Sequence, residues 1–184
     1  MFDWLKRAFG GSEPKRRRRS EPPPEPEFRP AKLPPRRDEK TPGWGFTPDE
    51  EVQKAAEAYA LEACDFLRED FQVIADWSDA SIQLVESVLD KFHKAVKQDH
   101  PTEQQMMGIA RLLGSYVGEV YRRNHGATWG VVELNGEKFP GLEAKSSKMT
   151  FWPWGRSFNR IQDGPEDNIW HYYIDLVRET GRAK

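Results

Sequence analysis

The chain has 184 residues, of which 28 are Lys or Arg and 30 are Asp or Glu, so its formal net charge is −2. Its mean hydropathy is −0.83, and it contains no apolar run near the ~18 residues that a membrane-spanning helix needs. A single cysteine, Cys64, excludes a disulfide framework and a multi-cysteine metal site. Because the first residues are too few and too charged for a secretory signal, we expect a cytoplasmic protein.

Charge and proline are concentrated in the first quarter of the chain. Residues 1–40 carry 12 basic and 7 acidic side chains, whereas residues 41–184 carry 16 basic and 23 acidic ones. Ten of the 14 prolines fall before residue 49. A stretch this poor in large apolar side chains cannot offset the loss of ~1–2 kcal/mol of backbone entropy per residue, so residues 12–43 are predicted to be a disordered, basic and proline-rich linker. Residues 44–184 are predicted to form a single globular domain with an acidic net charge.

Residues 1–11 are predicted to be an amphipathic segment ahead of this linker. On a helical wheel, the apolar side chains of the first nine residues occupy one side, and Asp3, Lys6 and Arg7 occupy the other. Five consecutive cations follow the segment after a short gap. An aromatic insertion element and a polybasic patch together are typical of proteins anchored to an anionic membrane surface. The predicted membrane-binding residues are Phe2, Trp4, Leu5, Lys6, Arg7, Phe9, Lys15, Arg16, Arg17, Arg18 and Arg19.

Other uses of this arm remain open. The first nine residues are too few for a helix that is stable alone in water, so they need a surface, which is a membrane, a partner or the protein's own body. The cations could instead neutralise the phosphates of a nucleic acid, although the acidic body would repel it and no nucleic-acid-binding motif is present. The membrane hypothesis places the protein at the inner face of the cell membrane.

The body begins with a strong helix-start signal. Thr47, Pro48 and Glu50 match the N-cap, the first position and the third position of a capping box. Apolar side chains then keep a helical period to about Asp70, and residues 73–75 are predicted to form a short strand.

Two further helices are predicted before the pattern changes. Ser78 would cap the second helix, and the third helix would run to about Asn124. Residues 128–134 and 137–139 are then predicted to be the strands of a hairpin, because the intervening Asn135-Gly136 pair is typical of a type I′ turn.

The remaining elements complete the predicted fold. Residues 148–152 are a predicted third strand, residues 155–162 a short helix and residues 165–180 a final helix. This order predicts an α+β fold with three N-terminal helices, a small antiparallel sheet and one or two C-terminal helices.

One extended pattern carries a resemblance. The run Leu113-Gly114-x-Tyr116-x-Gly118-Glu119 is followed by Arg122-Arg123, Gly126 and Trp129. Over residues 50–180 the chain thereby resembles small bacterial α+β domains of unknown function. The resemblance implies a bacterial source and a compact α+β domain without an assigned reaction.

Few residues of the body point to catalysis. The sequence contains no HExxH, GxSxG or phosphate-binding-loop motif, so we expect no cofactor and no metal. Glu119 is the exception: if it is buried, its pKa rises and it becomes a candidate general acid or base, with His125 or His171 as its partner. The alternative for Glu119 is a helix-edge salt bridge with Arg123.

Two local patterns indicate close contacts. Gly114 and Gly118 remove the side chains from one side of the third helix, which predicts that a helix, a strand or a ligand approaches there. In the run Phe151-Trp152-Pro153-Trp154, a strand would place Trp152 and Trp154 on one face. That face is either a second core layer or an exposed recognition surface, since exposed tryptophans are common interface anchors.

These observations favour binding over catalysis. We expect a non-enzymatic protein-binding or adaptor module, tethered to the cytoplasmic membrane surface by its N-terminus, with Glu119, Trp152 and Trp154 as partner-binding residues. The alternatives are an immunity-type protein that neutralises a basic toxin, a hydrolase-like enzyme that uses Glu119 with a histidine, and a non-specific nucleic-acid-binding protein that uses the arginine run.

Overall fold

A computed structural model of the chain describes residues 44–181, which form five helices around a four-stranded sheet. The predicted amphipathic segment and the predicted linker lie outside the described residues. The helices are α1 (Glu50–Phe71), α2 (Ser81–Asp99), α3 (Glu103–Tyr121), α4 (Pro153–Gln162) and α5 (Ile169–Gly181). The strands are β1 (Trp44–Pro48), β2 (Ala127–Leu134), β3 (Glu137–Ala144) and β4 (Thr150–Phe151), which pair in this order, each antiparallel to the next. The α+β class and the antiparallel sheet are therefore confirmed.

The body begins with a strand rather than with a helix cap. Thr47 and Pro48 pair with β2 at the edge of the sheet, where a proline without an N–H is tolerated. The N-cap of α1 is Asp49, whose Oδ1 accepts the N–H groups of Glu51 at 2.9 Å and Val52 at 3.0 Å. The predicted Thr47 cap is wrong because the strand partner of these residues lies some eighty positions further along the chain.

The segment between α1 and α2 is irregular. Gln72 ends α1 in the left-handed conformation, and the N–H of Val73 donates to the carbonyl of Leu67 at 3.0 Å. No strand forms at residues 73–75, so that prediction is wrong. Ser78 accepts the N–H of Ser81 through its Oγ, but α2 begins only at Ser81.

Helix α3 lies at the centre of the body, with 14 of its 19 residues buried. The predicted close approach to its two glycines is confirmed, and the neighbours are protein. A Cβ on Gly114 would lie 2.6 Å from the backbone oxygen of Pro153 in α4, and one on Gly118 would collide with the Trp129 ring of β2. Both glycines thus allow α4 and the sheet to pack directly on the α3 backbone.

The sheet is built around the predicted hairpin. Asn135 and Gly136 have φ angles of 54° and 86°, which is the conformation of a type I′ turn, and this prediction is confirmed. Trp129 and Leu142 are cross-strand partners that face the main core, whereas a smaller cluster packs on the opposite face. That second cluster contains Val132, Leu134, Phe139, Trp152 and the partly buried Phe46.

A buried ion cluster joins α2, α4 and α5. The Arg160 side chain is 2% exposed and donates to Glu86 and to Asp90, each at 2.8 Å. The second oxygen of Glu86 accepts the N–H of Ile169 at 2.8 Å, at the first turn of α5. The Glu86 carboxylate therefore fixes the C-terminal helix α5 to the body, and the Arg160 guanidinium neutralises its charge.

Replacing Gly114 by Ala tests the close packing of α3 on α4. Alanine gains up to ~1 kcal/mol of helix propensity, but its Cβ collides with backbone that cannot rotate away. We expect a net loss of about 1–3 kcal/mol in the free energy of unfolding, measured by urea denaturation. Gly181→Ala is the matched control, because nothing lies within 4 Å of a Cβ there. A G114A variant as stable as the wild type would contradict this packing.

Candidate functional site

The densest polar network of the described residues is centred on Glu119 near the end of α3. Its side chain has 0% exposure, yet its carboxylate accepts four hydrogen bonds. Arg122 donates from Nε at 2.7 Å and from Nη2 at 2.9 Å, Arg123 donates from Nε at 3.2 Å, and Trp129 donates from Nε1 at 2.9 Å. Arg122 also donates to Glu57 of α1 at 3.0 Å. The network therefore connects α1, α3, β2 and the turn after α3.

These donors determine the ionisation of Glu119. Burial alone would raise its pKa, but the hydrogen bonds from Arg122, Trp129 and Arg123 outweigh burial and lower the pKa below its ordinary value. The expectation that a buried Glu119 has a raised pKa is therefore wrong. A carboxylate that accepts four donors has no lone pair left to take a proton from a substrate.

The chain leaves α3 through a π-helical turn, Arg122–Gly126, which ends where Gly126 takes a φ of +81°. Such turns are rare and occur frequently at functional sites. The Arg123 guanidinium lies 3.7 Å from the centre of the Trp77 ring. Neither terminal nitrogen of Arg123 makes a hydrogen bond within residues 44–181, and its side chain is 37% exposed.

Trp77 is held in a conformation that tryptophan rarely adopts. Its φ is +64°, in the left-handed region. Its N–H donates to the Tyr116 hydroxyl at 3.0 Å, and its carbonyl accepts the Asn124 amide, also at 3.0 Å. Strain of this kind persists only where the surrounding contacts fix the backbone, and it clusters at functional sites.

Asp79 completes the site beside the turn. It accepts the Tyr173 hydroxyl at 2.6 Å and the Asn124 amide at 2.8 Å, and it pairs with His125 Nε2 at 2.9 Å. Burial opposes its charge, but these hydrogen bonds, the one from Tyr173 foremost, lower the pKa of Asp79. Burial together with the hydrogen bond to Asp79 raises the pKa of Tyr173, so this phenol stays protonated.

The residues predicted to bind a partner lie in the interior. Glu119 is 0% exposed, and Trp152 and Trp154 are each 5% exposed. Trp154 donates from Nε1 to Ser115 at 2.7 Å, and the Trp152 ring packs on Phe139. Of the two alternatives for Trp152 and Trp154, the structure has the buried one, and the two rings belong to different core clusters because the strand ends at Phe151 and the chain turns into α4. A partner-binding role of these three side chains therefore has no support from exposure.

The histidine partners predicted for Glu119 are also separate from it. His125 is bonded to Asp79, and the His171 side chain is exposed on α5. Within residues 44–181, no hydrogen bond joins either imidazole to the Glu119 carboxylate. Over the same residues, no group of three or more His, Cys, Asp or Glu side chains is placed to hold a metal ion, and every helix is too short or too polar to cross a bilayer.

The sequence pattern identified only part of this site. Arg122 and Arg123 belong to the run that carries the family resemblance, but no sequence motif identifies Trp77, Asp79 or Asn124 as site residues. The basic pair directly after the apolar face of a helix is a sequence signal for the turn, but it does not point to Trp77 or Asp79. Their arrangement around one turn depends on contacts between residues about 40 positions apart, such as Trp77 with Tyr116.

Comparison of the chain with models of known protein families, with curated proteins and with solved structures finds no match. The resemblance to small bacterial α+β domains therefore stays a prediction. Any functional assignment depends on the geometry of the site and on the sequence.

Replacing Glu119 by Gln tests the buried charge. Because the pKa of Glu119 is lower in the folded protein than in the unfolded chain, its charge stabilises the fold above its ordinary pKa of 4.5, and this contribution is lost as the pH falls through the folded-state value. We expect E119Q to lose about 3–5 kcal/mol of unfolding free energy at pH 7 and the difference from wild type to narrow below pH ~4.

Urea denaturation at pH 7 and pH 3.5 measures this difference. Glu133→Gln on the exposed hairpin is the control and should change little at either pH. A difference in unfolding free energy between E119Q and wild type that stays constant down to pH 3.5 would contradict the lowered pKa of Glu119 in the folded protein.

Proposed function

We propose that the chain is a protein-binding adaptor held at an anionic membrane surface, in which the body recognises a protein partner and residues 1–19 bind the membrane. The observation that carries the binding role is the exposed edge of Arg123. Its guanidinium is fixed on one face by Trp77 and through Nε by Glu119, while its terminal nitrogens point to no protein acceptor in the described part.

Such an arrangement favours recognition because the side chain is already ordered. Immobilising a long side chain on binding costs about 0.5–1.5 kcal/mol, and here the Trp77 ring and the Glu119 carboxylate have restricted Arg123 beforehand. Arginine and tryptophan are also the residue types most enriched among side chains that dominate interface energy. Arg123 is therefore a contact residue whose side chain is already ordered before a partner binds.

Neighbouring groups extend this surface. Asn124, the residue after Arg123, is exposed and uses its amide nitrogen for Trp77 and Asp79, which leaves its oxygen as an acceptor. On α1, Glu57 pairs with Arg122, and Leu61 lies one turn further along with 59% exposure. A partner that covers both the turn after α3 and this part of α1 would meet hydrogen-bond donors, an acceptor and an apolar side chain.

The site supports binding better than acid–base catalysis. The Glu119 carboxylate is saturated by four donors, and the Asp79 carboxylate is occupied by Tyr173, Asn124 and His125. Neither acid is placed to exchange protons with a bound substrate, because each is already a hydrogen-bond acceptor for groups of the protein.

The distribution of charge supports the membrane role. Residues 44–181 carry 14 basic and 23 acidic side chains, so an anionic bilayer repels the body. Attraction must come from the arm, where each basic residue near such a surface contributes about 1 kcal/mol. The aromatic side chains of residues 2–9 supply the apolar anchor that a polybasic patch alone lacks.

Replacing Arg123 by Ala tests the recognition surface. We expect loss of the ordered guanidinium to weaken partner binding by about 2 kcal/mol, or roughly thirtyfold. The measurement is affinity capture of partner proteins by the full chain, with the captured proteins compared between wild type and R123A. Arg178→Ala is the control, because the Arg178 side chain is 70% exposed. Thermal melting establishes that each variant is folded. If wild type, R123A and R178A capture the same partner proteins in the same amounts, Arg123 is not the contact residue.

Replacing Trp4 by Ser tests the membrane anchor. Removing one inserted aromatic side chain should weaken binding to phosphatidylglycerol vesicles about tenfold. Replacing Arg16 to Arg19 by Ser should weaken it further and reduce its salt dependence, since Lys6, Arg7 and Lys15 remain. Co-sedimentation of the full chain is the measurement, with Lys138→Ser on the exposed hairpin as the control. Equal sedimentation with neutral phosphatidylcholine vesicles would contradict the electrostatic part of the proposal.

A further inference from the structure

The terminal nitrogens of Arg123 are hydrogen-bond donors without an acceptor in residues 44–181. A guanidinium has five N–H donors, and the Nε donor of Arg123 goes to Glu119 at 3.2 Å. The four N–H groups on its two terminal nitrogens donate to no group of the described part, and the side chain is 37% exposed. The donors that remain form the fork that binds planar anions through two parallel hydrogen bonds.

A stack of rings holds this fork in place. The Tyr116 ring is fully buried, and its centre lies 4.9 Å from the centre of the Trp77 ring. The central guanidinium carbon of Arg123 lies 3.7 Å from the centre of the same indole ring. Because the Trp77 N–H donates to the Tyr116 hydroxyl at 3.0 Å, the indole that carries the guanidinium is fixed to the core. The fork is therefore ordered before any ligand arrives.

The carboxylates around the turn after α3 are already bonded to other groups of the protein. Glu119 accepts four donors, and Glu57 of α1 accepts Arg122 Nη2 at 3.0 Å. Asp79 is hydrogen-bonded to Tyr173, Asn124 and His125. None of the three carboxylates is bonded to the terminal nitrogens of Arg123. A ligand that satisfies the fork must therefore bring its own acceptors.

Lys145 adds positive charge at the other end of the same turn. Its N–H donates to the Gly126 carbonyl at 3.1 Å, and its Cδ lies 3.7 Å from the position that a Cβ on Gly126 would take. The Lys145 side chain is exposed and forms no ion pair within residues 44–181. The turn thus carries a cation that no acidic side chain of the described body neutralises.

We propose that the Arg123 fork binds an aspartate or glutamate side chain of the protein partner. The inference rests on the proposed function, since it names the group of the partner that the body recognises. Each terminal nitrogen of Arg123 donates one N–H to one carboxylate oxygen of the partner. Nε stays bonded to Glu119, so binding does not disturb the buried charge.

A carboxylate suits this fork better than a phosphate or a nucleic acid does. Its two oxygens lie in one plane and match two parallel N–H groups. A phosphate group carries a charge of about −1.5 to −2 at pH 7, and the described body already has 23 acidic side chains against 14 basic ones. Each further negative charge on the ligand therefore increases its repulsion from the body. A single carboxylate needs only the fork.

The proposal requires an arginine and not merely a cation at position 123. Lysine is a compact charge without a planar fork, and it stacks less well on an aromatic ring. Arg123→Lys keeps the positive charge but loses the two parallel hydrogen bonds. We therefore expect R123K to bind the partner group nearly as weakly as R123A, whereas simple charge attraction would leave R123K equal to the wild type.

Acetate is the probe for the fork itself, without any partner. In the full chain labelled with ¹⁵N, the Nε–Hε signal of Arg123 is followed while sodium acetate replaces sodium chloride at a constant ionic strength of about 0.3 M. We expect a shift that grows with acetate and exceeds that of Arg178 several-fold, since Arg178 is 70% exposed and bears no ring stack. Equal shifts of the two arginines overturn the proposal. A larger shift with inorganic phosphate than with acetate also overturns it.

A random peptide library is the probe for the group on a protein. The immobilised full chain is compared with R123A and R123K, and Arg178→Ala is the matched control. We expect the wild type and R178A to enrich peptides that share an Asp or a Glu, and R123A and R123K to lose them. Replacing that acid by Asn or Gln in the peptide should weaken binding to the wild type about tenfold. This last comparison leaves the protein unchanged, so it does not depend on the folding of any variant.

The two probes separate the failure of this proposal from the failure of the proposed function. If the enriched peptides require Arg123 but share no acid, or if R123K binds them as tightly as the wild type, the carboxylate proposal is overturned and protein binding stands. If the wild type enriches no peptide over R123A while the acetate effect is present, the protein-binding function is overturned and the carboxylate site stands.

Discussion

The body depends on one buried negative charge that its neighbours neutralise. Removing a carboxylate from water costs several kcal/mol, so the Glu119 site is stable only because four N–H donors surround it. Arg122 and Arg123 follow Glu119 at the i+3 and i+4 positions, which lie on the same side of the helix. Trp129 supplies the remaining donor from β2, and Gly118 allows its ring to reach α3. Sheet, central helix and turn are therefore fixed relative to one another by a single ionised group.

That constraint also explains why the site is suited to recognition. Glu119 accepts a hydrogen bond from Arg123 Nε and the Trp77 ring contacts the guanidinium, so Arg123 loses much of its conformational freedom when the protein folds rather than when it binds a partner. Trp77 keeps its left-handed backbone because Tyr116 and Asn124 bind both of its main-chain polar groups. The same saturation that removes Glu119 from acid–base chemistry gives the surface a rigid arginine.

The parts of the fold that were predictable from sequence are those that local interactions decide. Asn135-Gly136 determines its turn because few residue pairs tolerate positive φ at both positions. Gly114 indicates a close neighbour because glycine in a helix interior costs about 1 kcal/mol of stability relative to alanine, which close packing explains. The failures depend on distant partners. Thr47 lies in a strand because Val131 pairs with it, and the ionisation of Glu119 depends on donors that no helical wheel assembles. Trp152 and Trp154 are buried because a helix begins at Pro153, beyond which strand alternation no longer applies.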